Sequence, residues 1–346
     1  MKRDALLTLL ERPGGGGADF SFDHVTEDSR RARPGSLFVA VTGEHADGHQ
    51  YADTAIQAGA VAVLGDRDGV TEWGGAPYLY CPAPRVALGV AAHALAGNPS
   101  EAMPGIGVTG TNGKTSITYL IQAILHAAGF RAARFGTIGY EVGGETLPAK
   151  HTTPFAEELS EVFARARDAG MTHVAMEVSS HALDQERVAG IRFSAAAFTN
   201  LTQDHLDYHH DMETYRAAKL KLFQRVAGEG CCTAVNLEDP AANYFIEASR
   251  VPCVTYGKDG ACRAEGLALG MDRTRFAFCS PWGKKNVALR LLGKHNAMNA
   301  LCAAAVCGGL GVPLDAIVAG LNALENVPGR FETVNAGQNF TVVVDY

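Results

Sequence analysis

One stretch constrains this chain more than any other: Gly105-Ile106-Gly107-Val108-Thr109-Gly110-Thr111-Asn112-Gly113-Lys114-Thr115-Ser116. A short apolar run gives way to glycines and then to Lys-Thr, and residues 117–125 carry apolar side chains at helical spacing. The order is strand, phosphate loop, helix. Glycines let backbone N–H groups turn inward around phosphate oxygens, and the start of a helix adds partial positive charge. Lys114 is placed to reach the terminal phosphates and the Thr115 hydroxyl to ligate Mg²⁺. The strict G-x-x-x-x-G-K-[ST] pattern asks for glycine at position 108, where this chain has Val108, so the loop is a compact variant. A glycine-rich turn before an ordinary helix is the plain alternative. Gly-Lys-Thr at a strand-to-helix junction favours a nucleoside triphosphate site.

At 346 residues the chain is long enough for two or three domains with cores of their own. Hydrophobic content of 47% and charged content of 19% suit a soluble globular protein. A net charge of −7 argues against broad electrostatic binding to nucleic acid or an anionic membrane, so anionic ligands need local Lys, Arg and backbone donors. The eight cysteines form no C-x-x-C pair and several sit in apolar runs, as expected of reduced, buried thiols. The amino-terminal apolar run is too short for a signal peptide and no run is long enough to span a bilayer, so the expected location is the cytoplasm.

Along the chain, a first helix precedes the glycine run 14–17, and Pro34-Gly35 turns into a strand over 36–41. A helix fits 49–58, strands 61–64 and 78–81, and a helix 86–95; Gly97-Asn98-Pro99-Ser100 reads as a linker. Strands at 131–135, 173–178, 195–198, 232–235 and 252–255 then alternate with helices at 157–169, 211–225 and 240–250, with a hairpin signal at 141–145. Residues 265–292 alternate polar and apolar in an antiparallel manner, two helices follow at 296–307 and 314–323, and 340–346 is a strong strand. The expected class is α/β: a small α/β amino-terminal domain, then a P-loop-type central domain with a mostly parallel sheet flanked by helices. Ligands in such a sheet gather at the carboxyl ends of the strands.

Glu177 ends one buried strand and is a candidate second Mg²⁺ ligand, with a capping or salt-bridged glutamate as the alternative. The segment 199–210 gathers His205, His209 and His210 among aspartates, which suits metal or phosphate work but also an ordinary solvated loop. Lys219, taken alone, reads as a surface lysine.

Four motifs then converge. Gly-Thr-Asn-Gly-Lys-Thr (110–115), Met-Glu-Val-Ser-Ser-His-Ala-Leu (176–183), Thr-Asn-Leu-Thr-Gln-Asp-His-Leu-Asp-Tyr-His (199–209) and Tyr-Arg-Ala-Ala-Lys (215–219) resemble the Mur ligases. Together with Asp28-Ser29-Arg30 and His45-Ala46-Asp47-Gly48, they are similar to the branch that adds the third residue of the peptidoglycan stem peptide. The branch that joins D-alanyl-D-alanine is not expected to carry Thr152-Thr153-Pro154 or Ser179-Ser180-His181, and folylpolyglutamate synthase lacks the Asp-Ser-Arg segment. The resemblance implies a UDP-sugar domain over 1–97, an ATP-binding ligase domain over 98–329, and the start of a truncated carboxy-terminal domain over 330–346, with most of that Rossmann-like domain missing.

It also implies the chemistry. An ATP-dependent ligase would join a diamino acid, expected to be meso-diaminopimelate, to UDP-N-acetylmuramoyl-L-alanyl-D-glutamate through an acyl phosphate; a fragment that binds ATP and UDP-sugar without ligating them is the alternative. Gly110, Thr111, Asn112, Gly113, Lys114, Thr115 and Ser116 would hold ATP. Thr115 and Glu177 would hold one Mg²⁺, and Glu177, His205 and a carbamate formed from CO₂ on Lys219 a second. Asn296, Asn299 and Asp345 would lie at the nucleotide and Arg330 at the transferring phosphate, with capping of a helix as the alternative for Asn296. Glu27, Ser29, Glu44, His45 and Ala46 would contact uridine diphosphate. His151, Thr152, Thr153, Ser179, Gln185 and Arg187 would line the muramoyl-peptide, although His151 departs from the small or amide residue often found there. A monomer without nucleic-acid or membrane partners is expected.

Overall fold

The structure is a computed structural model that describes residues 1–11, 18–43, 46–334, 337, 338, 340 and 342–345. The glycine run 14–17 and two expected contact residues, Glu44 and His45, lie outside the described residues. The chain forms two compact units: Met1–Pro99 with Pro154–Ala164 and Gln185–Ile191, and Ser100–Thr153 with Arg165–Asp184 and Arg192–Tyr346.

In the first unit, α1 (Arg3–Leu9), β1 (His24–Thr26), β2 (Ser36–Ala40), α2 (Ala52–Gln57), β3 (Ala60–Gly65), β4 (Glu72–Trp73), β5 (Ala76–Tyr80) and α3 (Pro84–Leu95) follow in order. The sheet order is β1-β2-β3-β5-β4, parallel except for β4. Strand alternation sorts its side chains. Leu37, Val39, Ala62 and Leu64 face Ala87, Leu88 and Ala91 of α3, while Phe38, Ala40 and Val63 face Ala52 and Ala55 of α2. The helix expected over 49–58 is split into a 3₁₀ turn, Gly48–Tyr51, and α2. Asp47 caps the 3₁₀ turn, its carboxylate accepting from the backbone N–H of His49 (3.0 Å) and pairing with its ring Nδ1 (2.6 Å). Strand β1, only three residues long, carried no legible sequence signal.

The linker is tighter than expected. Gly97 and Asn98 adopt positive φ (78° and 49°), and Pro99 opens the short helix α4 (Pro99–Ala102), where its missing N–H costs nothing.

The second unit is built on eight strands in the order β13-β12-β11-β6-β10-β7-β8-β9. In chain order its elements are β6 (Gly105–Thr109), α5 (Lys114–Ala127), β7 (Ala132–Gly136), β8 (Gly139–Val142), β9 (Glu145–Leu147), α6 (Ala156–Asp168, whose first nine residues belong to the first unit), β10 (His173–Glu177) and α7 (Ser180–Asp184). There follow β11 (Phe193–Phe198), α8 (Leu206–His209), α9 (Met212–Arg225), β12 (Cys232–Asn236), α10 (Ala242–Ala248) and β13 (Cys253–Tyr256). The six strands from β13 to β7 are parallel, and β8–β9 form the hairpin at the edge.

One face of this sheet packs Ile106, Val108, Ala195 and Ala197 against Ile117, Ile121 and Ile124 of α5. The same core takes in α11 (Lys294–Gly309), α12 (Leu314–Ala323) and the apolar face of an antiparallel sheet, β14 (Arg263–Leu269), β15 (Thr274–Ser280) and β16 (Gly283–Leu289). On the other face Gly107 leaves room for Leu222 of α9, since a Cβ there would sit 3.0 Å from its methyl carbon. The chain then pairs β17 (Glu332–Val334) antiparallel with β18 (Val342–Val344), shorter than the strand expected over 340–346. The loop segments after β10 and β11 hold the short helices α7 and α8, which the motifs had concealed.

Candidate functional site

Val108 is fully buried inside β6, so the strand runs two residues further than a standard phosphate loop would allow, and the turn is confined to 110–113. Two glycines make that turn possible. Gly110 has φ +142°, and a side chain on it would collide with Thr199 Oγ1; Gly113 has φ +90°, and a Cβ on it would lie 2.6 Å from Asn299 Oδ1. The loop is braced from the end of β11. Thr111 N–H donates to the Asn200 carbonyl (2.8 Å), Asn112 N–H to Asn200 Oδ1 (3.0 Å), and Thr199 Oγ1–H to the Asn112 carbonyl (2.7 Å). Part of the 199–209 motif is therefore a brace for the phosphate loop, a role that spacing alone did not disclose.

Lys114 begins α5 and donates through Nζ to the carbonyls of Gly110 (2.9 Å) and Thr111 (2.8 Å). Burial lowers its pKa, opposed by the carboxylates of Glu177 and Asp204. One helix position on, Thr115 Oγ1–H donates to Glu177 Oε2 (3.0 Å). Glu177 is buried at the carboxyl end of β10, beside β6, and also accepts from Thr137 through N–H (2.9 Å) and Oγ1–H (3.2 Å). Glu177 does not cap helix backbone: its carboxylate accepts from the side chain of Thr115, in the first turn of α5, and from Thr137. Thr152 joins this group through the Thr137 hydroxyl (3.1 Å), while Thr153 Oγ1–H donates to the Glu177 carbonyl (2.9 Å) and accepts from Ser179 N–H (3.1 Å). His151 presents its carbonyl to the Tyr140 hydroxyl (2.9 Å) and is otherwise exposed.

Lys219 is not a surface lysine. It is 1% exposed, donates to the Gly110 carbonyl (3.1 Å), and lies 4.1 Å from the Tyr215 ring centroid. Burial, reinforced by the neighbouring Lys114 ammonium, pushes its pKa well below the ordinary lysine value. Both lysines therefore converge on one carbonyl oxygen. His205 packs edge-on against the same Tyr215 ring (6.2 Å), with its backbone at φ +52° and Nε2 3.5 Å from Asp204 Oδ2. His181 and the buried His209 complete an aromatic cluster with it, and burial holds His209 down at about 4. Among the described residues no three His, Cys, Asp or Glu side chains come together as a metal cluster. The oxygens of Thr115 and Glu177, 3.0 Å apart, are nonetheless the hard donors Mg²⁺ prefers.

A cavity of about 460 Å³ opens beside Asn112, Gly113 and Ser116 and is lined further by Glu238, His295, Asn296, Asn299, Arg330 and Asp345. Asn296 does not cap α11; Gly293 occupies that position, and Asn296 Nδ2–H donates to the Leu292 carbonyl (2.9 Å) and Oδ1 accepts from Asn299 (3.1 Å). Asp345 Oδ1 accepts from Phe331 N–H (3.2 Å). Arg330 also lines a second, smaller cavity with residues 111–116, Thr137, Thr152 and Glu177.

In the first unit Ser29 opens a 3₁₀ turn capped by Asp28, and Ala46 is exposed, its carbonyl accepting from Gly43 N–H (2.8 Å). Glu27, Gln185 and Arg187 come together around a separate small cavity that Arg85 and Phe155 also line. Sequence reasoning passed over Arg85, whose only signal was a basic residue in the first turn of a helix. It also passed over Thr137, which spacing did not tie to Glu177.

Two family models match: the Mur ligase middle domain over residues 108–307, and the Mur ligase family catalytic domain over residues 21–100. The UDP-N-acetylmuramoyl-L-alanyl-D-glutamate--2,6-diaminopimelate ligase of Geobacillus thermodenitrificans (strain NG80-2) is 40% identical, over 99% of this chain and 71% of its own length. This chain belongs to the Mur ligase family. The ligase of the same name from Syntrophomonas wolfei subsp. wolfei is 42% identical, over 96% of this chain and 68% of its own length. A solved structure under that name superposes on this Mur ligase with a TM-score of 0.85 at 28% identity, covering 99% of this chain and 70% of that one. No helix among the described residues is long and apolar enough to cross a membrane.

Proposed function

We infer that this Mur ligase is an ATP-dependent amide-bond ligase of peptidoglycan precursor synthesis, which adds 2,6-diaminopimelate to UDP-N-acetylmuramoyl-L-alanyl-D-glutamate. The names of its relatives support the substrates. The observation that carries the reading is the contact of Thr115 with Glu177 beneath the Gly110–Gly113 turn. It sets two hard oxygen donors under a loop shaped for phosphates.

In this reading the D-glutamyl carboxylate attacks the γ-phosphorus of ATP, ADP leaves, and the incoming amine displaces phosphate from the acyl phosphate. Lys114 turns from its own loop carbonyls to the phosphate oxygens, and Arg330 faces the same group. Thr115 and Glu177 hold Mg²⁺, which supplies positive charge at the phosphates when bound. Asn296, Asn299 and Asp345 line the nucleoside end. Residues 1–97 serve the UDP-sugar through Glu27, Ser29 and the 44–46 segment, and 98–329 serve as the ATP-binding ligase domain, with 330–346 reaching the nucleotide. His151, Thr152, Thr153, Ser179, Gln185 and Arg187 face the muramoyl-peptide.

Lys219 becomes a carbamate. Its depressed pKa supports this, because only a neutral amine can bond to the carbon of CO₂, releasing a proton to solvent. The product is an anion that, with His205 and Glu177, would suit a second Mg²⁺. The net charge of −7 disfavours broad binding to nucleic acid or an anionic membrane, and the chain is read as a cytoplasmic monomer.

Calorimetry tests the reading directly. The folded chain is expected to bind both a magnesium-bound, non-hydrolysable ATP analogue and the UDP-linked dipeptide, and mass spectrometry to detect the diaminopimelate adduct over a lysine one. Binding of neither ligand would overturn the assignment.

A further inference from the structure

The small cavity of the first unit has a volume of about 30 Å³. Arg85 and Leu88 reach it from the amino-terminal part of α3, Phe155 and Ala156 from the start of α6, Glu27 from just beyond β1, and residues 185–187 from Gln185–Ile191, the second segment by which the chain returns to this unit. Arg187 is fixed before any ligand arrives. Its Nε and Nη2 both donate to Gln185 Oε1 (3.0 and 2.6 Å), and its guanidinium lies 4.0 Å from the Phe155 ring centroid. Arg85 interacts electrostatically with the Glu27 carboxylate. That carboxylate is attracted by both arginines, yet burial outweighs them and raises its pKa. Glu186 adds a second acidic group to the lining. Two guanidiniums thus line one small cavity, beside a carboxyl group that burial drives toward its neutral, hydrogen-bond-donating form.

We propose that Arg85 is a specificity-determining residue which, with Arg187, binds a carboxylate of the acceptor's peptide in this cavity, Glu27 standing in as the counter-ion until the ligand enters. The proposal rests on the reading of this chain as a ligase of a UDP-linked peptide. It adds what that reading did not contain, a role for Arg85 and a different one for Glu27, which faces the peptide rather than uridine diphosphate.

The full-length chain is titrated calorimetrically with UDP, with UDP-N-acetylmuramoyl-L-alanyl-D-glutamate, and with the same compound bearing a carboxamide at the peptide α-carboxylate. ADP binding to each variant reports folding. The wild type is expected to prefer the acid over the amide by at least about tenfold, the range of a charge-assisted hydrogen bond. Arg85→Gln should erase most of that preference while leaving amide and ADP affinities within about twofold, Arg85→Lys should restore part of it, and Glu27→Gln should keep or strengthen acid binding. Equal weakening of acid and amide by Arg85→Gln would reduce Arg85 to a structural role and overturn the proposal. A matching loss of affinity for UDP alone would move the contact to the diphosphate and overturn it as well. If the wild type binds ADP but neither acceptor nor UDP, the ligase reading of the first unit falls, and the proposal with it.

Discussion

The two anion sites proposed for this chain, one in each unit, are built by opposite means. In the second unit the phosphate loop is a run of backbone, shaped by Gly110 and Gly113 and braced by Thr199 and Asn200. In the first, the cavity is made of side chains from four separate stretches of chain, around residues 27, 85, 155 and 185–187. A backbone site must be contiguous, because consecutive N–H groups supply it, so it leaves a motif. A side-chain site needs only proximity in space, and leaves none. The contrast predicts that the backbone site tolerates almost no change, whereas the side-chain site degrades by steps.

The sharpest way to break that contrast is at the loop. Gly110→Ala forces a Cβ into Thr199 at a φ that L-residues rarely adopt, and Lys114→Ala removes the loop's cation. Each is expected to lower ATP-dependent ligation by roughly a thousandfold or more, with acceptor affinity preserved, as measured by phosphate release and calorimetry. Retention of even a tenth of the activity in Gly110→Ala would mean that the turn is not the phosphate cradle.

A smaller loss, about a hundredfold, is expected for Lys219→Met. Its pKa in the fold lies below the unfolded value, so between the two the unfolded chain binds the extra proton and stability rises with pH. Removing the buried amine should therefore raise the melting temperature at pH 7 while activity falls. A lower melting temperature would show that the lysine is structural. In the first unit, Phe155→Leu removes the ring under Arg187 and should raise the acceptor KM about fivefold with kcat nearly unchanged.

The smallest effects concern the pH dependence of the first unit. Burial holds the Glu157 carboxyl up at about 7 from 4.5, so stability is lost as pH rises through that window. His93, fully buried with neither ring nitrogen hydrogen-bonded among the described residues, is held down at about 4 from 6.5, so stability is lost as pH falls through that one. Between roughly 4.5 and 6.5 the two slopes oppose each other. Glu157→Gln should unmask the histidine slope and His93→Leu the glutamate slope, each on the order of 3 kcal/mol across its window. Denaturant titrations following Trp73 fluorescence in a Trp282→Phe background would read them; flat profiles in both variants would refute the opposition.

What the sequence disclosed follows the same division. The strand–loop–helix around Lys114, most strands of both units and the hairpin at 141–145 were legible, because period and glycine placement are local. Lys219 was not: one lysine on an amphipathic helix looks like any other, and only the packing of α9 against β6 shows that it is buried. The 3₁₀ turn that Asp47 caps ahead of α2 was not legible either, because nothing local separates it from the 49–58 helical pattern. Arg85 and Thr137 were invisible because their partners lie dozens of residues away. The brace at Thr199 and Asn200 was hidden inside a motif whose histidines drew the attention.

The path of the chain between the two units carries one further consequence. It crosses from one to the other after residues 99, 153, 164, 184 and 191, so five peptide links would have to be cut to separate them. Gly89 and Gly190 sew the second return segment to α3 at backbone contact, with no room for a methyl group on either. Arg187 is thereby tied to the body that contains Arg85, although it lies only a few residues from Glu177 and Ser179 in sequence. A gene that swapped residues 1–99 alone with a related ligase would transplant half of this cavity and leave the other half behind, so exchange of acceptor preference by recombination would require all three pieces to travel together.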